Sequence, residues 1–368
     1  MKEIVIFADA YPRIKNALYI ATHNYPKRPI TIVILGNPDL FKVFNAINEK
    51  LFHNALKLIY FELFHPDPRR AKASGLNKIF YVLSDIVRER RFLKETFDKY
   101  LAEVEGCEVF FFDRGFVQFS LMKRLSKRNR LVYISSYPTQ VTPSQYTPTN
   151  IVDLARLIIF KLTYGRGIAL GKLPHIKGFP HMSDKFLEKE VDRVIDGEER
   201  DEIMKDFDIS QFKIFDVGKY SVLYFPQSLL ESDDIANKDT YRREMADIFS
   251  VISKYFPENE VACKYHPGYH ESEKTVVKTG DVLPDFIPAE LVYNDNVKMY
   301  LGVFSSAIAN VEKGLAVSLM YLISFKDDAI REQLKGILVR MSHSEILFPK
   351  SLDEFEEILI GLRSNERK

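Results

Sequence analysis

Three short clusters in the second half of the chain carry the side chains that would hold a nucleotide. Lys264-Tyr265-His266-Pro267 ends one apolar run, Pro288-Ala289-Glu290 opens a helical turn, and Phe304-Ser305-Ser306-Ala307 joins another apolar run to a helix. A proline after His266 biases the histidine toward extended backbone and ends the strand, which sets the imidazole at the carboxyl edge of a sheet. From there it can donate to a phosphate oxygen or, when protonated, assist a departing phosphate. Hydroxyls and free N–H groups at the helix start, as at Ser305 and Ser306, attract an anion. A first-turn carboxylate such as Glu290 can accept from ribose hydroxyls. Each also has an ordinary counterpart, respectively a capped turn, a serine N-cap and an acid facing a helix dipole.

The first half offers Asp113-Arg114-Gly115 directly after Val109-Phe110-Phe111-Phe112. An acid at the carboxyl end of a buried strand can take a proton from an acceptor hydroxyl. The competing role is an N-cap for the helical pattern Phe116 to Leu125, salt-bridged to Arg114. Arg114 is expected either to orient Asp113 or to meet a carboxylate of donor or acceptor. Other routes to nucleotide binding are absent: the chain has no G-x-x-x-x-G-K-[ST] loop and no G-x-G-x-x-G after a strand. His266 and His270 would form a metal pair on a helix, but Pro267-Gly268 between them opposes one, and no metal is expected. Lys123-Arg124, Lys127-Arg128 and Arg130 form a basic patch, read as a solvated face with anionic lipid or an acidic acceptor as the alternative.

The elements that must position these groups alternate in type. Apolar runs at Ile4 to Ala8, Ile30 to Leu35, Leu56 to Phe61, Val109 to Phe112 and Leu131 to Ser135 read as buried strands. Helical spacing falls at Ile14 to Thr22, Asp39 to Glu49, Lys78 to Arg91 and Phe116 to Leu125. Repeated strand and helix predict a parallel sheet covered on both faces. A long polar loop is expected over Ser136 to Asn150, then an unusually apolar helix over Ile151 to Leu162, packed between layers or touching a membrane, then a Gly-rich loop over Gly165 to Gly178. The charged stretch Asp184 to Asp208 reads as a solvated helix or linker.

The same grammar then returns. Strands are expected at Ser221 to Phe225, Val261 to Tyr265, Lys298 to Phe304 and Val317 to Ile323. Helices are expected at Tyr241 to Tyr255, Ala307 to Lys313, Ala329 to Val339 and Leu352 to Arg363. We expect an acceptor-side Rossmann-like domain over 1–195, a nucleotide-sugar domain over 210–345, and a final segment over 346–368 packing back on the first domain.

The 368 residues exceed what one core usually supports, in line with two domains. With 46% hydrophobic and 28% charged residues the composition is that of a globular protein. A net charge of +1 gives no electrostatic case for a nucleic-acid partner. Cys107 and Cys263 are the two cysteines, each in an apolar run, so a disulfide framework or a zinc site is not expected. The short apolar start and the lack of any run near 18 apolar residues predict a cytoplasmic protein, with peripheral contact at the inner face of the membrane as a further expectation.

Taken together, these motifs resemble the bacterial sialyltransferases and polysialyltransferases of GT-B fold that use a CMP-activated nonulosonic acid. The resemblance rests on Lys264 to Pro267, Pro288 to Glu290 and Ser305-Ser306 in that order, with Asp113-Arg114-Gly115 where those families carry an acid-acid-glycine motif. It implies an α/β GT-B fold, two Rossmann-like domains with parallel sheets facing an interdomain cleft, and inverting, metal-independent transfer without a cofactor. By the resemblance Lys264 sits where the family reads cytosine, Pro267 belongs to the donor site, His266 contacts the CMP phosphate and aids departure of CMP, Glu290 binds ribose, Ser305 and Ser306 hold phosphate, and Asp113 is the general base. The product would be a glycan of the bacterial surface, capsule polysaccharide or lipooligosaccharide. Arg114 at the second acidic position is a departure from the pattern. Transferases of the same architecture using CMP-Kdo or CDP-glycerol, and a non-catalytic CMP-binding protein, are the alternatives.

Overall fold

The computed structural model describes residues 2–24, 28–64, 69, 75–135, 144–172, 177–212, 214–215, 217–226, 229, 234–265, 280–292, 296–309, 311, 313–342 and 344–364. The chain divides into two compact units, Met1–Asp208 and Ile209–Lys368. Each is built on its own parallel six-stranded sheet, so the α/β class with two Rossmann-like sheets expected from the sequence is what the chain adopts.

In the first unit the strands β1 (Ile4–Ala8), β2 (Ile30–Leu35), β3 (Lys57–Phe61), β4 (Glu108–Phe111) and β5 (Arg130–Ile134) form in sequence. The helices α1 (Arg13–Asn24), α2 (Pro38–Leu51), α3 (Gly75–Glu103) and α4 (Phe116–Leu125) lie between them. The sheet order is β3-β2-β1-β4-β5, completed by a short edge strand, Arg193–Ile195. Every residue of β1 and β2 is buried, as strands covered on both faces must be. Phe7, Phe97, Phe111, Phe112 and Phe119 are fully buried, and removing any one ring would cost about 3–5 kcal/mol.

Two segments differ from expectation. The stretches on either side of the apolar helix α5 (Ile151–Tyr164) are not wholly loop: β6 (Ser144–Gln145) before it and β7 (Ile168–Lys172) and β8 (Lys177–Met182) after it form an antiparallel sheet. The charged stretch from Asp184 to Asp208 is not one solvated helix but two helical pieces, α6 (Asp184–Glu190) and α7 (Gly197–Ile203), with the edge strand β9 (Arg193–Ile195) between them. Its side chains stay exposed at Arg193 and Val194 because an edge strand needs few apolar neighbours.

The second unit carries β10 (Val222–Phe225), β11 (Val261–Cys263), β12 (Asp281–Val282), β13 (Met299–Gly302), β14 (Leu315–Ser318) and β15 (Ile346–Leu347) in the order β12-β11-β10-β13-β14-β15. Around them lie α8 (Lys238–Tyr255), α9 (Ser306–Ala309), α10 (Asp328–Met341) and α11 (Leu352–Ser364). The core gathers Tyr224, Tyr300, Phe256 and Phe355. The last helix packs on α8 within this unit: Arg363 Nε donates to the Tyr255 carbonyl at 2.6 Å and Lys254 meets Glu356 at 3.0 Å. In the described residues no helix is long and apolar enough to cross a membrane.

Both sheets change direction of winding at one place. Order β3-β2-β1-β4 puts the reversal between β1 and β4, and order β12-β11-β10-β13 puts it between β10 and β13. Loops leaving the carboxyl ends of such strands diverge, and the crevice between them is where open α/β sheets bind ligands.

Candidate active site

At the first reversal two acids face each other. The register that pairs Ile4 with Glu108 and Phe7 with Phe111, carried two residues further, brings Asp9 level with Asp113. Both lie in strand-to-helix turns: Asp9 leads into α1, whose first residue is Arg13, and Asp113 leads into α4, whose first turn carries Gln118. Neighbouring parallel strands run about 4.8 Å apart, so level residues at their ends are held close by the backbone itself.

Two side chains tie the acids together. Arg13 Nε stands 3.3 Å from Asp9 Oδ1 and Arg13 Nη2 stands 3.9 Å from Asp113 Oδ1. Gln118, 1% exposed, accepts the Asp113 backbone N–H through Oε1 at 3.3 Å and donates through Nε2 to Asp9 Oδ2 at 3.0 Å. The backbone contact sets which end of the amide faces Asp113, which leaves the amine for Asp9. A cavity of about 250 Å³ opens on this cluster, lined by both acids and Gln118 and walled by Leu35, Leu63 and Phe116.

The two carboxylates have unlike surroundings. Asp113 Oδ2 accepts the Gly115 N–H at 2.9 Å, closing the turn. A Cβ on Gly115 would lie 2.3 Å from that same oxygen, so a larger residue there would push the carboxylate aside. Asp9 is set in poorly solvated surroundings, and its proton affinity is raised first by burial and then by the charge of Asp113, against which Arg13 and the Gln118 hydrogen bond pull the other way.

Arg114 takes a different part from the expected one. Its guanidinium, buried, donates to the Met182 carbonyl at 2.9 Å and to Asp184 Oδ1 at 2.5 Å, and the cation beside Asp113 is Arg13. Its backbone carbonyl also accepts the Met182 N–H at 2.6 Å, and Gly115 bridges to His181. Arg114 thus clamps the end of β8 to the turn that carries Asp113. His181 is fully buried in that clamp; burial and the Arg114 charge hold its pKa below the usual imidazole range.

At the second reversal the sequence-predicted donor residues are assembled only in part within the described residues. His266 and Pro267 lie outside them, as does the side chain of Glu290. Lys264, 3% exposed, follows β11; its backbone N–H donates to the Tyr224 carbonyl at 2.8 Å and its ammonium to the carbonyls of Tyr265 and Asp285, the latter at 3.1 Å. The buried ammonium thereby ties the loop ahead of the short 3₁₀ turn Ala289–Leu291, which contains Glu290, to the end of β11.

Ser305 and Ser306 follow β13 after Val303-Phe304. The approach is held by Ser318, fully buried at the end of β14, whose hydroxyl donates to the Val303 carbonyl at 2.6 Å. Ser305 Oγ accepts the Ala307 N–H at 3.3 Å, an ordinary cap for α9, and Ser306 is exposed. Described helix here runs only from Ser306 to Ala309, shorter than the sequence pattern predicts. Among the described residues no group of three or more His, Cys, Asp or Glu is arranged to hold a metal ion.

The residues the sequence did not single out are Asp9, Arg13 and Gln118. A signal was present: Asp9 ends the first apolar run just as Asp113 ends the fourth. What joins them is the register between strands a hundred residues apart.

No family model matches the chain, and no curated protein matches it in sequence. Among solved structures, it is similar to TcCGT1 in complex with UDP, at 9% identity over 100% of this chain and 93% of that one, with a TM-score of 0.44. It is also similar to S. aureus MnaA with UDP, at 11% identity over 100% and 89%, TM-score 0.41. A third is the glycotransferase of kitacinnamycin, at 10% identity over 99% and 91%, TM-score 0.43. None is similar enough to carry a fold assignment or a function across; both rest on this chain's own sheets and residues.

Proposed function

We propose that the chain is a GT-B glycosyltransferase that moves a sialic acid or related nonulosonic acid from a CMP-activated donor to a glycan hydroxyl, with inversion. The observation that carries the enzyme reading is the pair of carboxylates, Asp9 and Asp113, level at the reversal point of the first sheet and open to a small, largely apolar cavity. A carboxylate so placed can take the proton of an acceptor hydroxyl. The donor class is supported by the sequence order Lys264 to Pro267, Pro288 to Glu290 and Ser305-Ser306, the last two on loops at the carboxyl side of the second sheet.

In the reaction, the acceptor oxygen bonds to the anomeric carbon of the donor as the bond from that carbon to the phosphate oxygen breaks. The hydroxyl proton passes to a carboxylate of the first unit, Asp113 in the sequence pattern, and CMP leaves. His266 meets the charge developing on the departing phosphate, with Ser305 and Ser306 as further donors. Glu290 takes the ribose hydroxyls, and Lys264 holds the loop that presents it.

A thermal-shift series with CMP, CDP, UDP and GDP tests the donor class. A ligand that binds the folded state alone raises its stability, by about 2.7 kcal/mol at a hundredfold excess over Kd. Stabilisation by CMP and not by UDP or GDP is expected. A response to UDP alone would assign a UDP-sugar donor, and no response to any would remove nucleotide binding.

A further inference from the structure

We propose that Asp9, rather than Asp113, receives the acceptor's proton, and that Asp113 with Arg13 forms the charged frame that sets Asp9 to do so. This rests on the glycosyltransferase reading and refines it, because it names the atom at which the proton ends.

Geometry separates the two carboxylates. Asp113 has one oxygen closing its own turn through the Gly115 N–H and the other turned toward Arg13. Releasing Oδ2 for a substrate hydroxyl would open the turn, while Arg13, which faces both acids, leaves the Asp113 turn bond as the difference between them. Asp9 Oδ2 accepts from the Gln118 amide, and the carboxylate lines the cavity together with Asp113. Asp9 Oδ1 is buried and accepts no hydrogen bond within the described residues, although Arg13 Nε lies 3.3 Å away. The two side chains are equally exposed, at 21% each, so hydrogen bonding separates them: the carboxylate with a buried oxygen that no donor within the described residues satisfies is the stronger proton acceptor of the pair.

Among the described residues the charges acting on Asp9 are those of Asp113 and Arg13. Arg13 comes from the first turn of α1 and Asp113 from the turn before α4, and Gln118 is neutral. Burial raises the proton affinity of Asp9 and Asp113 raises it further, which suits a base that must be ionised yet willing to take a proton. In the step itself the acceptor oxygen bonds to the anomeric carbon, the bond to CMP breaks, and the hydroxyl proton comes to rest on Asp9 Oδ2. Gln118, which already donates to that oxygen, fixes its direction.

Two variants and two readouts test the assignment. Asp9→Asn is expected to lower kcat by about 10²- to 10⁴-fold with CMP affinity unchanged. Asp113→Asn, by removing the repelling charge, is expected to move the acidic limb of kcat/KM to lower pH while retaining that limb. A carbon-13 titration of the side-chain carboxyls should show one carboxyl titrating above the ordinary aspartate range in the wild type, absent in Asp9→Asn and shifted down in Asp113→Asn. Transfer with the acidic limb unmoved in both variants would overturn the proposal and leave the enzyme reading standing. The shifted carboxyl without transfer from any CMP donor would leave the pair standing and overturn the enzyme reading. An ordinary titration for Asp9 would overturn the proposal whatever the activity.

Discussion

Asp9 and Asp113 stand level at the ends of neighbouring parallel strands, joined on one side by Arg13 and on the other by Gln118. An arrangement that presses two carboxylates together in a little-solvated cavity opposes folding and favours chemistry. Its cost should be visible in stability as well as in rate.

Asp9→Asn should stabilise the protein near neutral pH, by about 1 kcal/mol, as removal of strained functional groups commonly does. The folded protein holds the Asp9 proton above the pH at which the unfolded chain, with an ordinary value of 3.8, releases it. The stability this provides is complete below about that pH and is lost as pH rises through the raised folded value. The gain from Asp9→Asn should therefore grow with pH across that window and vanish in acid. Urea denaturation at a series of pH values reads it; a destabilised Asp9→Asn at neutral pH would show that Asp9 is a structural anion.

Gly115→Ala should fold and fail to turn over. Its Cβ would meet Asp113 Oδ2 at 2.3 Å, and the side chain that must give way is the acid itself. Asp113 frames the carboxylate that takes the proton, and a misplacement of about 1 Å beside the chemistry costs roughly a hundredfold in rate. Circular dichroism with steady-state kinetics separates the two effects, and near-normal kcat would mean the Asp113 turn has no part in transfer.

His181 should make the protein acid-sensitive. Its folded pKa lies below the ordinary 6.5, because burial and the nearby Arg114 disfavour the imidazolium. The unfolded chain therefore binds more protons as pH falls below about 6.5, and stability is lost in that direction, at up to about 1.4 kcal/mol per pH unit. His181→Gln should flatten the dependence of Tm on pH over that range; an unchanged slope would place the sensitivity elsewhere.

Arg114→Met should destabilise the first unit by about 2 kcal/mol, a figure set by lost charged hydrogen bonds and moderated by the half-exposed Asp184. Because Arg114 grips Met182 and Asp184, the acidic limb of kcat/KM should stay where it is in the wild type. A limb that moves would return Arg114 to the direct electrostatic role suggested by its place in the sequence.

Much of the fold was legible because both sheets are parallel and covered on both faces, so their central strands are unbroken apolar runs such as Ile4 to Ala8 and Ile30 to Leu35. The β7–β8 hairpin was not, because Gly171 and Pro180 interrupt its pattern; the space beside Gly171 is filled across the ladder by Phe179 and His181, which no local spacing reveals. Asp113 was legible from the aromatic run before it. Asp9 looked like one acid in a turn, and its importance comes from register, a property of two strands far apart in sequence. Arg114 was misleading for the converse reason: its nearest neighbour in sequence is Asp113, whereas its side chain is spent on Met182 and Asp184.

The most direct measurement is CMP release from a CMP-activated sialic acid in the presence of a panel of glycans, with the acceptor followed by mass. CMP and an acceptor heavier by one nonulosonic acid residue are expected, with both lost in Asp9→Asn. Consumption of UDP- or GDP-sugars in place of the CMP donor, or an unchanged acceptor mass with every donor, would contradict this.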